Sequence, residues 1–330
     1  MPSFTVFRGH ASGNPVKSTT TRPDELAEDY VLLRVTASGI CGTDLHFRNA
    51  DMVLGHEGVG VVEAVGPTAR LLKKGDRVGW GYETDSCGHC IECLQGTETF
   101  CSERAMYSET NLDQGSFASH GIWREKFLHK IPDSMSDVVA APLQCGGATV
   151  FMALHGVKPT DTVGILGVGG LGHLAIQFAA KMGCRVVVLS GSERKREEAI
   201  KLGAHEFIAT KGAEKLSISK RIDRLLVTAS VPPNWELIVP ILAARASIYP
   251  LTASPGNFEI PYLTLIKYGI NVIGSNTPCR AIHKQMLEFA VLHRIEPILE
   301  IFPMTEEKIA EALDKLDRGE VYYRAVLVPE

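Results

Sequence analysis

The chain has 330 residues, of which 45% are hydrophobic and 22% charged, so it can form one large domain or two of moderate size. Its 34 basic and 38 acidic residues give a net charge of −4, which offers no electrostatic reason to bind nucleic acid or an anionic membrane. We find no signal peptide at the start of the chain, and Pro, Gly or a charge interrupts every apolar run before it could span a bilayer. We therefore expect a soluble cytoplasmic protein.

The first 145 residues are predicted to form short strands between turns. Gly, Pro and Asp interrupt this part of the chain and helical periodicity is weak, which is typical of an irregular β domain. The predicted strands cover residues 30–36, 58–65, 77–81 and 127–131.

After residue 145, strands and helices alternate. The predicted strands cover 163–166, 184–189, 206–209, 224–228, 246–251 and 271–274. The predicted helices cover 172–182 and 194–202, a stretch after 209, and a segment that ends at 238. The remaining residues predict helices over 281–292 and 305–316 and a last strand over 325–328. This alternation indicates a parallel sheet covered by helices on both faces.

Four of the eight cysteines lie in one segment of fifteen residues. They are Cys87, Cys90, Cys93 and Cys101. Because zinc binds four thiolates tetrahedrally, and short spacings let a tight loop place successive sulfurs around one ion, the pattern predicts a closed, structural zinc site. A disulfide framework is not expected without a secretory signal. The alternative to a zinc site is therefore a cysteine-rich loop without metal.

A Gly-x-Gly-x-x-Gly sequence lies between the first strand and the first helix of the alternating region. Its residues are Gly167, Gly169, Gly170, Leu171 and Gly172. Glycines at these positions permit a tight turn and a close approach to a pyrophosphate, which the N-terminus of the following helix would bind. The motif therefore predicts a dinucleotide-binding loop, and the alternative is a turn that serves only packing.

The residues at the end of the next strand indicate which dinucleotide is bound. An NAD-selective site usually has an acidic residue about 20 positions after the glycines. This chain has Ser190 and Ser192 there, followed by Glu193 and a basic run that includes Lys195. Hydroxyls and nearby cations suit a 2′-phosphate, so we expect NADP rather than NAD, although Glu193 weakens the pattern and the basic run could be an ordinary exposed helix start.

Three further residues could hold a second metal ion. Cys41, His56 and Cys145 are far apart in the sequence, and each alone could be a buried cysteine or a core histidine. Together, two thiolates, one imidazole and a vacant fourth position describe a catalytic zinc site.

In this order along the chain, these segments resemble the zinc-dependent medium-chain alcohol dehydrogenases. The motifs that carry the resemblance are Gly55-His56-Glu57, Gly75-Asp76-Arg77-Val78, the four-cysteine segment, the glycine loop and Tyr323-Arg324. The residues around Cys145, His173 and Ser190 are most similar to the NADP-dependent branch of cinnamyl-alcohol-dehydrogenase-like proteins.

The resemblance implies an α/β protein with two domains. A GroES-like β-barrel catalytic domain, residues 1–146 and 279–330, would contain both zinc sites, and a Rossmann domain with a doubly wound parallel sheet, residues 147–278, would be inserted in it. The cofactors would be NADP(H) and two zinc ions per chain. Arg324 matches a position that contacts the cofactor pyrophosphate in the family, and the resemblance suggests a homodimer formed through the strand near 271–274.

The resemblance also implies roles for the residues around the catalytic zinc, whose ligands would be Cys41, His56 and Cys145. Glu57 would enter the zinc shell during ligand exchange. Thr43 would pass on the alcohol proton, and His46 would relay it to solvent. Asp44 would hydrogen-bond to the ring of His56 and fix its tautomer.

The predicted function is hydride transfer between NADP(H) and an alcohol/aldehyde pair, in the direction of aldehyde reduction. Fourteen residues separate Cys41 from His56, which is short for the family, and Gln144 is polar where the branch has an apolar residue; both changes favour a substrate other than a flat aromatic aldehyde. The alternatives are an NADPH-dependent reductase of an iminium or activated C=C substrate, and a non-catalytic nucleotide-binding redox sensor. Thr43 and His46 speak against both, because neither needs an alcohol proton relay.

Overall fold

The computed structural model describes residues 3–254 and 256–330. The chain divides into two compact units, which we call the first unit (residues 1–148 and 277–330) and the second unit (residues 149–276). The strands of the described residues are β1 (Ser3–Arg8), β2 (Val16–Thr21), β3 (Tyr30–Ile40), β4 (Glu57–Val65), β5 (Arg77–Trp80), β6 (Glu83–Asp85), β7 (Ala105–Met106), β8 (His120–Arg124), β9 (His129–Lys130), β10 (Thr162–Leu166), β11 (Arg185–Ser190), β12 (Glu206–Ala209), β13 (Ile222–Val227), β14 (Leu242–Pro250), β15 (Asn271–Val272), β16 (Leu299–Pro303) and β17 (Arg324–Val328). The α-helices are α1 (Gly42–Phe47), α2 (Ile91–Leu94), α3 (Asp137–Pro142), α4 (Ala148–Leu154), α5 (Gly172–Lys181), α6 (Arg196–Lys201), α7 (Trp235–Ile238), α8 (Tyr262–Tyr268), α9 (Arg280–His293) and α10 (Glu306–Asp317).

The first unit is built on a mostly antiparallel sheet with the strand order β16-β17-β3-β4-β5-β9, to which β8 adds beside β3. Alternate side chains of β3 point to a core that also contains Trp80 and Phe117, as expected for a strand with one buried face. Strands β3 and β4 pair so that Gly39 lies opposite Glu57. This register places the chain after β3 beside the chain before β4, and both segments carry predicted metal ligands.

The second unit contains a parallel sheet with the strand order β12-β11-β10-β13-β14-β15. In chain order these strands occupy positions three, two, one, four, five and six, which is the Rossmann arrangement. Strands β10 and β11 are almost fully buried, as expected where helices cover both faces of a sheet. The predicted doubly wound parallel sheet is confirmed.

Two local predictions were wrong in the second unit. No helix follows β12, because residues 210–221 form turns and irregular structure. The predicted helix ending at 238 is only the four-residue α7, continued by a 3₁₀ turn over Val239–Ile241. Three of the residues 230–240 are proline, and proline cannot donate the backbone hydrogen bond that a longer helix interior requires.

The statement that no apolar run could span a bilayer was also wrong. Within the described ranges, the helical run Asp137–Leu154 is long and apolar enough to do so by length and composition alone. However, 67% of this run is buried inside the structure, and the mostly buried core helix of a soluble protein passes the same test, so the run is weak evidence for a membrane span. It contains α3, a π-helical turn over Leu143–Gly147, and α4.

Candidate active site

Cys41 is held at the junction between β3 and α1. It adopts an extended conformation as the residue that caps α1, and its backbone N–H donates a hydrogen bond of 2.8 Å to Asp44 Oδ2. A carboxylate in the first helical turn also interacts favourably with the helix dipole. Thr43 lies in the same turn, with its Oγ1 3.7 Å from Cys41 Sγ, whereas His46 is exposed on α1.

His56 is held just before β4 by a turn that requires glycine. Gly55 has a φ of +91°, and a Cβ at this position would lie 2.3 Å from the ring of Phe117. The His56 ring is buried, and its Nδ1 lies 3.1 Å from Asp44 Oδ1. Its Nε2 is also buried but has no hydrogen-bond partner among the described residues. Because buried polar atoms are nearly always satisfied, this bare nitrogen fits a metal ligand.

Cys145 completes this group from the π-helical turn, a kind of irregularity that is common at functional sites. The ligand atoms of Cys41, His56, Glu57 and Cys145 all lie within 4.8 Å of one another. Two thiols and an imidazole suit zinc, whereas magnesium and calcium prefer oxygen ligands. The structure therefore brings the three predicted ligands together with the predicted exchange ligand.

Glu57 is fully buried between the metal ligands and a cation. Its carboxylate pairs with Arg324 and accepts a hydrogen bond of 3.3 Å from Gly146 N–H. A Cβ on Gly39 would lie 2.0 Å from Glu57 Oε2, so glycine is required at that position to make room for the carboxylate. Burial raises the pKa of Glu57 to about 7, and the charge of Arg324 opposes this rise. Arg324, assigned from the resemblance to the cofactor pyrophosphate, thus has its guanidinium committed to Glu57 in this structure.

The three predicted ligands shift one another's pKa values. A hydrogen bond from Cys145 lowers the pKa of Cys41 well below 9, against the effect of burial, while the same contact raises the pKa of Cys145. Burial lowers the pKa of His56, but the carboxylate of Asp44 and the thiolate of Cys41 outweigh it and leave the pKa well above 6.5. The site therefore holds protons that a metal ion would displace on binding.

The second predicted metal site lies in the segment between β6 and β7, which we call the cysteine lobe (residues 86–104). The sulfurs of Cys87, Cys90, Cys93 and Cys101 all lie within 4.8 Å of one another. Cys87 Sγ is 3.9 Å from Cys93 Sγ and 3.6 Å from Cys101 Sγ. A tetrahedral zinc ion with Zn–S bonds of about 2.3 Å separates its sulfurs by about 3.8 Å, so the donor set fits zinc. The cysteines of the described residues are free thiols.

Two tyrosines beside His56 were not identified from the sequence. Between ring centroids, Tyr107 lies 5.0 Å from His56, and Tyr82 lies 5.5 Å from it. Tyr107 OH lies 3.4 Å from Asp44 Oδ1. No local signal marks either residue, because each is a single tyrosine just outside the cysteine lobe.

Gln144 does not act as the sequence interpretation assumed. Its side chain is buried, with Nε2 donating to Ala140 O at 2.9 Å and Oε1 lying 3.0 Å from His283 Nε2. The His283 ring in turn stacks on His129 at 3.8 Å. The polar residue next to Cys145 therefore belongs to a buried hydrogen-bond network inside the first unit.

The glycine loop of the second unit has the geometry that dinucleotide binding requires. Gly167 follows β10 with a φ of +100°, and a Cβ there would lie 2.8 Å from Ala229 N. A Cβ on Gly172, where α5 begins, would lie 2.0 Å from Gly167 O. Gly169, in contrast, has nothing within 4 Å of its Cβ direction, which leaves the backbone of the loop open to a ligand. Gly170 and Leu171 lie between these positions.

The predicted 2′-phosphate residues lie at the carboxyl end of β11, beside this loop. Ser190 is the last residue of β11, and Ser192 is exposed two residues later. Lys195 reaches back to the glycine loop, where its Nζ donates to Val168 O at 2.7 Å. Burial lowers the pKa of Lys195. Glu193, which weakened the NADP interpretation, is paired with Arg196 at 2.5 Å and so is partly neutralised.

Comparisons with known proteins agree with the fold and the site described above. Residues 27–133 match the family described as "Alcohol dehydrogenase GroES-like domain", and residues 170–291 match "Zinc-binding dehydrogenase". The chain is 33% identical over 327 residues to an alcohol dehydrogenase of Geobacillus stearothermophilus, covering 95% of this chain and 96% of the relative. It is 31% identical to the aldehyde reductase AdhA of Synechocystis, covering 92% and 93%. A solved cinnamyl alcohol dehydrogenase of Sorghum bicolor superposes with a TM-score of 0.92 at 29% identity, covering 99% and 98%.

Proposed function

Since the chain belongs to the zinc-binding alcohol dehydrogenase family, in its cinnamyl-alcohol-dehydrogenase-like branch, we propose that this oxidoreductase transfers a hydride between NADP(H) and an alcohol/aldehyde pair, as an aldehyde reductase. The observation that carries the proposal is that the ligand atoms of Cys41, His56 and Cys145 lie together, and that the buried Nε2 of His56 has no hydrogen-bond partner among the described residues. Three protein ligands leave a fourth position for substrate, which is the arrangement of a catalytic rather than a structural zinc site.

In this proposal, each residue around the metal has a definite task. A zinc ion held by the three ligands would act as a Lewis acid on a carbonyl oxygen, and NADPH would supply the hydride. Asp44 orients the His56 ring through Nδ1 and holds the Cys41 backbone, so it fixes two ligands at once. Thr43, half-buried beside Cys41, holds the proton for the substrate oxygen. His46, exposed on the same helix, exchanges that proton with solvent.

Glu57 and Arg324 form a buried ion pair behind the ligands. Arg324 neutralises the carboxylate of Glu57, which would otherwise lie uncompensated beside the thiolate of Cys41. If the pair opens, Glu57 can reach the metal and Arg324 can turn to a phosphate. We propose that this exchange reconciles the position of Arg324 with its predicted contact to the cofactor.

We propose NADP(H) as the cofactor because hydroxyls and a cation follow β11 beside the open glycine loop, and the one carboxylate among them, Glu193, is paired with Arg196. Ser190, Ser192 and Lys195 would bind the 2′-phosphate, and Gly167, Gly169 and Gly172 would let the pyrophosphate approach the N-terminus of α5. The direction of aldehyde reduction follows from this cofactor and agrees with the name of the Synechocystis relative.

The test is cofactor oxidation by the purified protein, with NADPH and NADH compared across aliphatic and aromatic aldehydes. We expect turnover with NADPH and much weaker turnover with NADH. A Cys145→Ala variant should retain NADPH binding but lose turnover and one zinc ion per chain. If the unaltered protein binds NADPH and reduces no aldehyde, the proposal is wrong.

We propose two zinc ions per chain, one in each cysteine-containing group, which elemental analysis of the purified protein would count. We also propose a homodimer formed through β15, whose Val272 is 41% exposed; Tyr262 and Leu263 of α8 are exposed as well. Sedimentation velocity at micromolar concentration would give twice the mass of 35.9 kDa. A cytoplasmic location agrees with the free thiols of the described residues, since reducing compartments keep cysteines unpaired.

A further inference from the structure

Tyr107 links the cysteine lobe to the His56 side of the metal site. It is the first residue after β7, and Tyr82 is the last residue before β6. Strands β6 and β7 pair, so the two tyrosines lie together at the base of the lobe, and Tyr107 N–H donates to Tyr82 O at 2.8 Å. Their rings, 5.6 Å apart, both contact the ring of His56.

The hydroxyl of Tyr107 belongs to the hydrogen-bond network that orients the ligands. It accepts a hydrogen bond of 3.0 Å from Gly55 N–H and donates one of 3.4 Å to Asp44 Oδ1. The same Asp44 oxygen accepts from His56 Nδ1–H at 3.1 Å, and the other oxygen accepts from Cys41 N–H at 2.8 Å. One buried carboxylate thus joins the segments that carry two of the three ligands, and the tyrosine hydroxyl binds both that carboxylate and the residue before His56.

Packing alone does not account for this tyrosine. Tyr107 is 3% exposed, and a phenylalanine would fill the same volume against His56 and Phe47. The hydroxyl instead satisfies Gly55 N–H, whose alternative acceptor, Asp44 Oδ1, is 3.3 Å away. Because Gly55 adopts a left-handed conformation that places His56, a hydrogen bond to its N–H restrains the backbone that presents the ligand.

We propose that Tyr107 is a positioning residue of the metal site, whose hydroxyl holds Asp44 and the Gly55–His56 backbone so that Nε2 faces the metal. The inference rests on the proposed zinc site. Without the hydroxyl, Asp44 loses a donor and Gly55 keeps only its longer hydrogen bond, so the ring of His56 is less restrained. Loss of an outer hydrogen-bond partner typically weakens metal binding 10- to 100-fold.

Tyr82 provides a matched control. Its ring also contacts His56, but its hydroxyl lies 3.2 Å from Ser108 Oγ, away from Asp44. Tyr107→Phe and Tyr82→Phe therefore each remove one buried or half-buried phenol oxygen at the base of the cysteine lobe. Only the first removes a hydrogen bond from the carboxylate that orients the ligands.

The experiment measures the release of Co²⁺ from the cobalt-substituted proteins to an excess of chelator. The absorption of the catalytic-site ion is isolated by subtracting the spectrum of Cys145→Ala, which keeps the cysteine-lobe ion. We expect Tyr107→Phe to release the catalytic-site ion about ten times faster, with shifted d–d bands, while its lobe ion is unaffected. Tyr82→Phe should match the unaltered protein in both respects.

Equal release rates for Tyr107→Phe and the unaltered protein would overturn the inference, as would equal acceleration by Tyr82→Phe. If the unaltered protein shows no cobalt spectrum beyond that of Cys145→Ala, the proposed metal site fails and this inference fails with it. If Tyr107→Phe does not fold, hydrogen exchange of the Gly55 amide in the unaltered protein decides. Slow exchange supports the restraint of the Gly55 backbone that the inference requires, and exchange as fast as that of an exposed loop overturns it.

Discussion

We predict that Glu83 makes the stability of the first unit depend on pH in a direction opposite to that of most acidic residues. It lies on β6 opposite Met106, buried, and its Oε1 has no hydrogen-bond partner in the described part of the chain. Burial raises the pKa of Glu83 to about 8, and the charge of nearby Glu98 adds to the rise, against the opposing charges of Arg280 and Arg104. With this pKa, the carboxyl group of Glu83 stays mostly protonated at neutral pH, because its buried position disfavours the charged form.

The sign and size of the effect follow from linkage. The folded state binds this proton more tightly than the unfolded state, whose ordinary pKa is 4.5. The contribution to stability is therefore complete below pH 4.5 and is lost as the pH rises toward 8. At 1.36 kcal/mol for each pKa unit, the loss between pH 4.5 and pH 7 is at most about 3 kcal/mol. Because some solvent reaches the side chain and screens it, we expect about 2 kcal/mol.

The substitution Glu83→Gln removes the titration and keeps the shape. In a Trp235→Phe background, Trp80 and Trp123 report thermal unfolding of the first unit, in which both are buried. When the pH is raised from about 5 to about 7.5, the thermal unfolding midpoint of Glu83→Gln should fall by about 4 to 8 °C less than that of the parent. Glu109→Gln, at an exposed glutamate past β7, should follow the parent. Parallel profiles for Glu83→Gln and the parent would refute this account of the buried carboxyl.

Three further predictions concern single positions. Gly39→Ala places a methyl group 2.0 Å from Glu57 Oε2, so it should lower the free energy of unfolding by about 2 kcal/mol or more and reduce zinc content, whereas Gly42→Ala, with open space around its Cβ, should change neither. Lys195→Ala should raise the Kd for NADPH about tenfold in a fluorescence titration and leave that for NADH unchanged, because one charge-assisted hydrogen bond to the 2′-phosphate is lost; an equal loss for both cofactors would contradict the assignment. Burial lowers the pKa of His129 to about 4, so stability is lost as the pH falls from 6.5 toward 4, and His129→Phe should reduce that loss by up to about 3 kcal/mol in urea unfolding.

The features predictable from the sequence are those that local spacing determines. The cysteine lobe and the glycine loop each lie within a few turns of chain, so residue type and spacing suffice to predict them. The strand–helix alternation after residue 145 likewise determines a parallel sheet, because parallel neighbours need a crossover between them. Errors occurred where an element is short, as at α7, or where a helical run also serves as a buried core segment, as at Asp137–Leu154.

Contacts between distant parts of the chain were not predictable in the same way. Tyr107 lies 63 residues from Asp44, and Gln144 lies 139 residues from His283, so no local pattern connects either pair. From the sequence alone, a polar residue beside a predicted metal ligand is compatible with a substrate contact. Only the fold shows that His283 of α9 lies against the Gln144 side chain. The partner of a side chain depends on which distant segment packs against it in the fold. The sequence around that side chain does not specify this segment.

The short connection between Cys41 and His56 shows how the C-terminal segment supports the site. Arg48, which follows α1, donates to Gly13 O at 2.8 Å and pairs with Asp314 of α10 at 2.8 Å. Phe47 packs on the same core that Leu316 covers. With so few residues available to fold over themselves, the segment takes its support from α10, more than 250 positions later. Because α1 carries Thr43 and Asp44, this contact with α10 supports the helix that holds both residues beside Cys41.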